Sequence, residues 1–275
     1  MNNSDILKIA LKAAISAGNT LTDHNRDNLK ISQKESLRDI VTEIDKISEN
    51  KIINILKNYN SEIPILTEET GIIEGKNENV RWVVDALDGT VNYVNSIPHY
   101  GVSIAFIEND FPIVGVIFNP TSAELYYGAE DIGVFKNQKR IKISDKPHTG
   151  GLFTVAFSGK NHDPKNRIDE FLKFGEINDI SRGCLRTGSA AMNLAYLAEG
   201  RFSGCWGKAN KIWDVSAGIL LAKLAGANVN LTEVNKNNNL VSYLATVPSS
   251  WKIIYEKIEK TISLDTINNR CGAIN

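Results

Sequence analysis

The stretch Trp82-Val83-Val84-Asp85-Ala86-Leu87-Asp88-Gly89-Thr90 carries the most information in this chain. An apolar, β-branched run reads as a buried strand, here ending in Asp85. A second Asp follows three residues on, and then Gly-Thr. Two carboxylates at the end of one strand, in a tight turn, can point at a common spot. Anions held that close repel, and neither normally stays ionised without a cation. A hard divalent ion with oxygen ligands removes the conflict, and Mg²⁺ suits a carboxylate-rich site. Gly89 lets the backbone approach closely. If Gly89 and Thr90 open a helix, their amides offer donors and a positive dipole end to a phosphate. The same nine residues also read as an Asp-rich turn that caps a helix, and alone they do not decide.

Further acidic positions lie outward from this strand. Thr67-Glu68-Glu69-Thr70 follows the apolar run Ile63-Pro64-Ile65-Leu66, which reads as another strand. Its carboxylates either join the same site or lie in a solvated loop. Asp214, in Ile212-Trp213-Asp214-Val215, starts a strongly apolar helix, so it is a candidate ligand or a plain N-cap. Asp39-Ile40-Val41-Thr42-Glu43-Ile44-Asp45 contains Thr-x-x-Asp, which fits a capping box with Asp45 at its third helical position.

Periodicity organises the rest. Ile6, Ala10, Ala13, Ala14, Ala17 and Leu21 predict an amphipathic helix over 4–23, and a second runs from about Thr42 to Asn58. The period then changes. Arg81–Asp85, Gly101–Ile107, Ile113–Phe118, Glu124–Tyr127 and Gly133–Phe135 predict a largely antiparallel sheet. The polar segment 138–150 is the best junction, dividing an N-terminal α+β half (1–147) from a C-terminal α/β half (148–275). In the second half, Leu152–Ser158, Phe202–Trp206 and Leu240–Val247 read as strands. Ser189–Glu199, Val215–Ala225 and Trp251–Ile262 read as helices, the first two closed by Gly200 and Gly226. The Asn-rich tract Asn235–Asn239 reads as a surface loop between two strands.

Composition bounds the function. The chain has 275 residues, which is one large domain or two joined halves at roughly 150 residues per domain. Lys+Arg is 31 and Asp+Glu is 32, a net charge of -1 that argues against a nucleic-acid coat or a polybasic membrane binder. Asp5, Lys8 and Lys12 break any signal-peptide core at the N-terminus, and no apolar run is long enough to span a bilayer. Cys184, Cys205 and Cys271 form no CxxC pair, so a reducing cytoplasm is the simple expectation. His24, His99, His148 and His162 have no ligand-like spacing.

Together, DIVTEID (39–45), TEE (67–69), VVDALDGTVNYV (83–94), TGSAAMNLAYLAEGR (187–201) and WDVSAGILLAKLAGA (213–227) occur in the order and at the spacings of a known family. The chain resembles the inositol monophosphatase family of Mg²⁺-dependent, lithium-sensitive phosphatases. The resemblance implies a layered α-β-α-β-α sandwich of the inositol monophosphatase/fructose-1,6-bisphosphatase type and a homodimer in the cytoplasm. It implies two or three Mg²⁺ ions per site. Glu68, Asp85 and the Leu87 carbonyl would hold the first, Asp85, Asp88 and Asp214 the second, and Glu68 with water a looser third. It implies that Thr90 and Glu68 orient the attacking water, that Asp45 hydrogen-bonds Thr90, and that Lys34 lies near phosphate and metals. Gly89, Thr90, Gly188, Ser189 and Ala190 would bind phosphate or substrate.

Two departures bear on substrate. Ala86 stands where the family motif has Pro, at small cost because Pro mainly pre-sets φ. Gly207 stands where inositol phosphatases carry a Glu that binds sugar hydroxyls, with Lys208 and Lys211 nearby. Gly207 offers no acceptor, so weak discrimination among polyol phosphates is expected. The implied activity is hydrolysis of a small phosphate monoester, nominally inositol-1-phosphate. Alternatives are 3′-phosphoadenosine 5′-phosphate, a sugar phosphate, or a non-catalytic regulator that keeps the fold. No nucleic-acid or membrane partner is expected.

Overall fold

The computed structural model describes residues 2–24, 29–34, 40–157 and 164–259. Asp39, Ser158, His162, Cys271 and the end of the last expected helix (260–262) lie outside the described residues.

Helix α1 (Asn3–Asp23) forms on its predicted apolar face, with the Asn2 side chain accepting from the Ser4 amide as N-cap. Strands β1 (Ile31–Gln33) and β2 (Ile40–Thr42) pair antiparallel. Helix α2 (Glu43–Tyr59) follows, with the Thr42/Asp45 capping box as read from the sequence. Then come β3 (Ile65–Thr67), β4 (Ile72–Ile73), β5 (Val80–Asp88), the short helix α3 (Thr90–Val94), β6 (Gly101–Glu108), β7 (Phe111–Asn119), β8 (Glu124–Ala129), β9 (Gly133–Lys136) and β10 (Lys139–Arg140). Beyond these lie β11 (Leu152–Ala156), α4 (Pro164–Ile180), β12 (Gly183–Leu185), α5 (Ala190–Glu199), β13 (Gly204–Lys211), α6 (Ile212–Ala225), β14 (Asn228–Asn235), β15 (Leu240–Thr246) and α7 (Trp251–Glu259).

Strands β10-β9-β8-β7-β6-β5-β3-β4 make one sheet, antiparallel except where β3 runs parallel to β5. Strands β12-β11-β13-β15-β14 make a second, mixed sheet. Helices α1 and α2 cover one face of the large sheet, and α6 packs on the other. Helices α5 and α6 fill the space between the sheets, and α4 and α7 cover the outer face of the small one. The layers therefore run α-β-α-β-α, as expected.

Strand β5 shows why the central run is apolar throughout. Trp82 and Val84 pack with the α1/α2 layer, while Val83 packs with the α5/α6 layer. Both faces are buried, so the period-2 alternation of an exposed sheet has no reason to appear.

Two expectations need correction, and one helix was not expected at all. Helix α4 has no counterpart in the sequence reading. Strand β13 runs on to Lys211 rather than stopping at Trp206, through a bulge between Gly207 and Asn210. Helix α6 starts at Ile212, so Asp214 is its third residue and not an N-cap; Lys211 holds that position.

Candidate active site

A bulge at the end of β5 builds the Asp85/Asp88 pair. Asp85 lies opposite Ser103 and Asp88 opposite Gly101, so Ala86 and Leu87 together face one partner residue. On a regular strand, residues three apart point to opposite faces. The extra residue shifts the parity and returns Asp88 to the face of Asp85. Ala86 and Leu87 both turn to the core under α1 and α2. The next residue, Gly89, has φ +96, and a Cβ there would lie 3.2 Å from the His99 carbonyl oxygen and 3.1 Å from Tyr100 Cβ. Only glycine takes that turn without strain.

Three chain segments converge on the pair. Glu68 follows β3, which pairs with β5 through Thr67 and Val84. Asp214 is at the third position of α6 and accepts from the Lys211 amide. One carboxylate oxygen each from Glu68, Asp85 and Asp214 lies within 4.8 Å of the others. Asp85 is buried, and its Oδ1 accepts from the Leu87 amide at 2.9 Å. Lys34 Nζ donates to Glu68 Oε1 at 2.9 Å and to Glu69 Oε1 at 2.5 Å. Its own burial disfavours the ammonium, but these two carboxylates outweigh that and hold Lys34 above its ordinary pKa.

Asp88 is not in that triad. Its Oδ2 accepts from Ser189 Oγ at 2.5 Å and from the Ala191 amide at 2.7 Å, with the Ala190 amide also donating to it. The start of α5, where Gly188, Ser189 and Ala190 were expected to bind substrate, thus grips the second aspartate. Asp88 still feels the Glu68 charge, and Asp214 feels Asp88.

Beside the triad, Thr90 Oγ1 lies 3.1 Å from Asp45 Oδ1 and 3.2 Å from the Leu87 carbonyl oxygen. Asp45 Oδ2 accepts from the Thr42 amide at 2.8 Å and the Thr42 hydroxyl at 2.5 Å. One carboxylate therefore caps α2 and orients Thr90.

The expected substrate position has an unforeseen neighbourhood. A Cβ on Gly207 would meet Asn210 Oδ1 at 1.9 Å, Tyr243 Cε1 at 2.8 Å and the Ala156 carbonyl oxygen at 2.9 Å. Gly207 therefore opens no empty room. The β13 bulge returns Asn210 to the face of Gly207, by the same parity argument as in β5. Asn210 Oδ1 and the Tyr243 hydroxyl are buried and have no hydrogen-bond partner among the described residues. Sequence reasoning missed both. It also missed Asn92, whose Nδ2 donates to the carbonyls of His99 (2.6 Å) and Thr187 (2.9 Å), tying α3 to the loop before α5. Asn92 lies within the quoted motif, which was the available signal.

The model of the inositol monophosphatase family matches residues 2–263. The chain belongs to that family. The protein named Nus factor SuhB from Pasteurella multocida is 34% identical over 267 residues, spanning 94% of this chain and 97% of that protein. The inositol-1-monophosphatase of Mesorhizobium japonicum is 35% identical over 234 residues, spanning 83% and 86%. The solved structure of inositol monophosphatase from Anabaena superposes with a TM-score of 0.82 at 31% identity, covering 96% of this chain and 99% of that one.

Inositol monophosphatases typically use Mg²⁺, and the donors here suit it. Burial holds Asp85 well above the usual carboxylate range, and the charges of Glu68, Asp88 and Asp214 add to it. Asp214 is raised in the same way, by burial and then by Asp88 and Glu68. Asp88 stands at about 7 because burial outweighs its bonds from Ser189 and Ala191. A cluster this costly to ionise, made only of hard oxygen donors, is what a divalent hard cation relieves. Among the described residues, no helix is long and apolar enough to cross a membrane.

A pH dependence follows. Raised carboxyls bind more protons folded than unfolded between about pH 4 and pH 7. In EDTA, Tm is expected to fall as pH rises through that window. Saturating Mg²⁺ keeps the carboxylates ionised, so the slope flattens, and apparent Mg²⁺ affinity rises between about pH 6 and 8. Thermal melts across pH, with and without Mg²⁺, check both statements. A Tm in EDTA that rises with pH in this range contradicts the assignment.

Proposed function

We propose that this chain is a Mg²⁺-dependent phosphomonoesterase acting on a small polyol phosphate, nominally inositol-1-phosphate. The observation that supports this most is the convergence of Glu68, Asp85 and Asp214 oxygens within 4.8 Å beside the Thr90–Asp45 pair. In this reading Glu68, Asp85 and the Leu87 carbonyl would hold one Mg²⁺, and Asp85, Asp88 and Asp214 would hold a second. A third, looser ion would lean on Glu68 and water. Bound there, Mg²⁺ would supply Lewis acidity for activating the water and stabilising the leaving alkoxide.

The chain's own residues do the remaining work. Thr90 donates to Asp45 and keeps its lone pairs free to accept a hydrogen bond from the attacking water. Glu68 would accept the water's other hydrogen bond, and so fix the direction of attack. The Gly89 and Thr90 amides would face the phosphate, whereas the Ala190 and Ala191 amides at the start of α5 are committed to Asp88. The Ser189 hydroxyl is committed to Asp88. Lys34 balances the charge of Glu68 and Glu69 next to the phosphate.

Phosphate release measured over inositol phosphates, sugar phosphates and 3′-phosphoadenosine 5′-phosphate tests the reading. Release that needs Mg²⁺, and that falls with Li⁺ or excess Ca²⁺, is expected. Release that persists in EDTA sinks the metal mechanism. Several relatives carry the name Nus factor SuhB, and a chain that binds Mg²⁺ yet releases phosphate from none of these substrates favours a non-catalytic role instead.

Discrimination must come from contacts to the alcohol half, since every candidate shares the phosphate. Asn210 Oδ1 is a buried acceptor beside Gly207, and a ring hydroxyl is a donor that satisfies it. Asn210→Ala is expected to lower kcat/KM for inositol-1-phosphate about tenfold, the worth of one hydrogen bond. p-Nitrophenyl phosphate, which has no hydroxyl to offer, should be unaffected. Equal losses on both substrates reject the contact. Gly207→Glu is the poorer test, because its Cβ meets the Ala156 backbone.

A further inference from the structure

We infer that Glu49 is a positioning residue for Glu68, and that α2 thereby sets two arms of the metal site at once. Glu49 is 1% exposed, on the face of α2 that also buries Ile44, Ile52 and Leu56. A lone carboxylate there is costly unless hydrogen bonds compensate it. Its Oε2 accepts from the Glu69 amide at 2.9 Å. Its Oε1 accepts from the Thr70 amide at 3.0 Å and the Thr70 hydroxyl at 2.6 Å. All three donors belong to the turn that carries Glu68.

Glu68 is held from both sides as a result. On one side Thr67 is fixed by its place in β3 beside Val84, and by its amide, which donates to the Gly71 carbonyl at 2.8 Å. On the other side the Glu69 amide is fixed by Glu49. The backbone that carries Glu68 has little freedom left, and the Lys34 ammonium at 2.9 Å holds the carboxylate itself. A carboxylate suits this task better than an amide, because both oxygens accept. A glutamine at 49 would turn its NH₂ toward one of the two backbone N–H donors.

Glu49 also stands one helical turn after Asp45 on α2. Asp45 reaches Thr90 and Glu49 reaches the Glu68 turn. Residues four apart share a helix face, so one rigid element spaces the Thr90 arm from the Glu68 arm.

The inference takes its metal from the phosphatase reading, but its main readout needs no turnover. Calorimetric titration of the full chain with Mg²⁺ alone compares wild type, Glu49→Gln, Glu68→Gln and the double variant. Supports of metal ligands usually matter by about 10- to 100-fold in affinity, and that loss is expected for Glu49→Gln. If Glu49 acts through Glu68, the double variant binds Mg²⁺ no more weakly than Glu68→Gln alone. Losses that multiply, or a Glu49→Gln protein with lower Tm and unchanged Mg²⁺ affinity, overturn the inference, as does wild-type protein that binds no Mg²⁺. Thr70→Val covers the case in which Glu49→Gln does not fold. It removes one of the three donors, so a smaller loss in the same direction is expected, with Thr70→Ser at wild-type affinity. Thr70→Val at wild-type affinity counts against it. Wild-type protein that binds Mg²⁺ but hydrolyses nothing defeats the phosphatase reading and leaves the role of Glu49 to be read from the same titrations.

Discussion

Asp88→Asn is expected to lower turnover by at least about a thousandfold, about 4 kcal/mol of transition-state stabilisation, in a protein that melts no earlier than wild type. The two halves of this result have separate causes. Oδ2 of Asp88 accepts from Ser189 and from the Ala191 amide, and an asparagine carbonyl oxygen can accept the same bonds. The junction between β5 and α5 therefore survives. The other end of the group changes from a carboxylate oxygen to an NH₂, which cannot ligate a cation. Removing the charge also relieves the repulsion felt by Asp85 and Asp214. In EDTA at pH 8 the variant should melt as high as wild type or higher, while its kcat/KM with saturating Mg²⁺ collapses. Near wild-type turnover at saturating Mg²⁺ removes Asp88 from the metal machinery. A collapse in Tm instead assigns it to the α5 junction alone.

The bulge that makes Asp88 matter is also where sequence reading runs short. Asp85 and Asp88 are plainly acidic residues at a strand end, and their chemistry is legible. Their shared face is not, because residues three apart diverge on a regular strand. The parity shift comes from how Ala86 and Leu87 together oppose one residue of β6, and no residue type announces that. The same device hid Asn210, which only the β13 bulge brings beside Gly207.

Helix α4 was illegible for a different reason. Its Glu170 and Lys173 are buried while Ile168 and Phe171 are exposed, which inverts the pattern that marks an amphipathic helix. Lys173 gains its burial through an ion pair with Asp169 at 2.8 Å, a contact that depends on the folded helix. Helix α1, by contrast, shows its six apolar positions in order and was readable end to end. Glu49 left a trace that could have been followed. It is a charge on the apolar side of α2, one turn from Asp45, and a buried charge calls for partners.

Asp45→Asn is the other large effect, and it probes polarity rather than charge count. In the wild type, Thr90 Oγ1 lies 3.1 Å from Asp45 Oδ1 and 3.2 Å from the Leu87 carbonyl oxygen, and the carboxylate is the stronger acceptor, so the hydroxyl proton points at Asp45. The Thr90 lone pairs then face outward, ready to accept a hydrogen bond from a water. In Asp45→Asn the amide oxygen is drawn to Thr42, whose amide and hydroxyl both donate to Oδ2 in the wild type. The NH₂ must then face Thr90. Thr90 is driven to accept from it and to donate to the Leu87 carbonyl at 3.2 Å. The hydroxyl proton would then turn around, and the lone pair proposed to hold the water would be occupied. The Leu87 carbonyl also gains a donor where a cation should bind. Misaligned proton handling of this kind typically costs about 10²–10⁴ in rate, so kcat should fall by that factor. KM should change little, because no contact to the alcohol half is touched. The α2 cap keeps both bonds from Thr42, so Tm should hold near wild type, and burial, which raises the carboxyl's pKa, no longer opposes folding. Thr90→Val should show the same loss, and the double variant should be no worse than either single one. Independent, multiplying losses would separate Asp45 from Thr90, and an Asp45→Asn variant with wild-type kcat would leave Asp45 as a helix cap and nothing more.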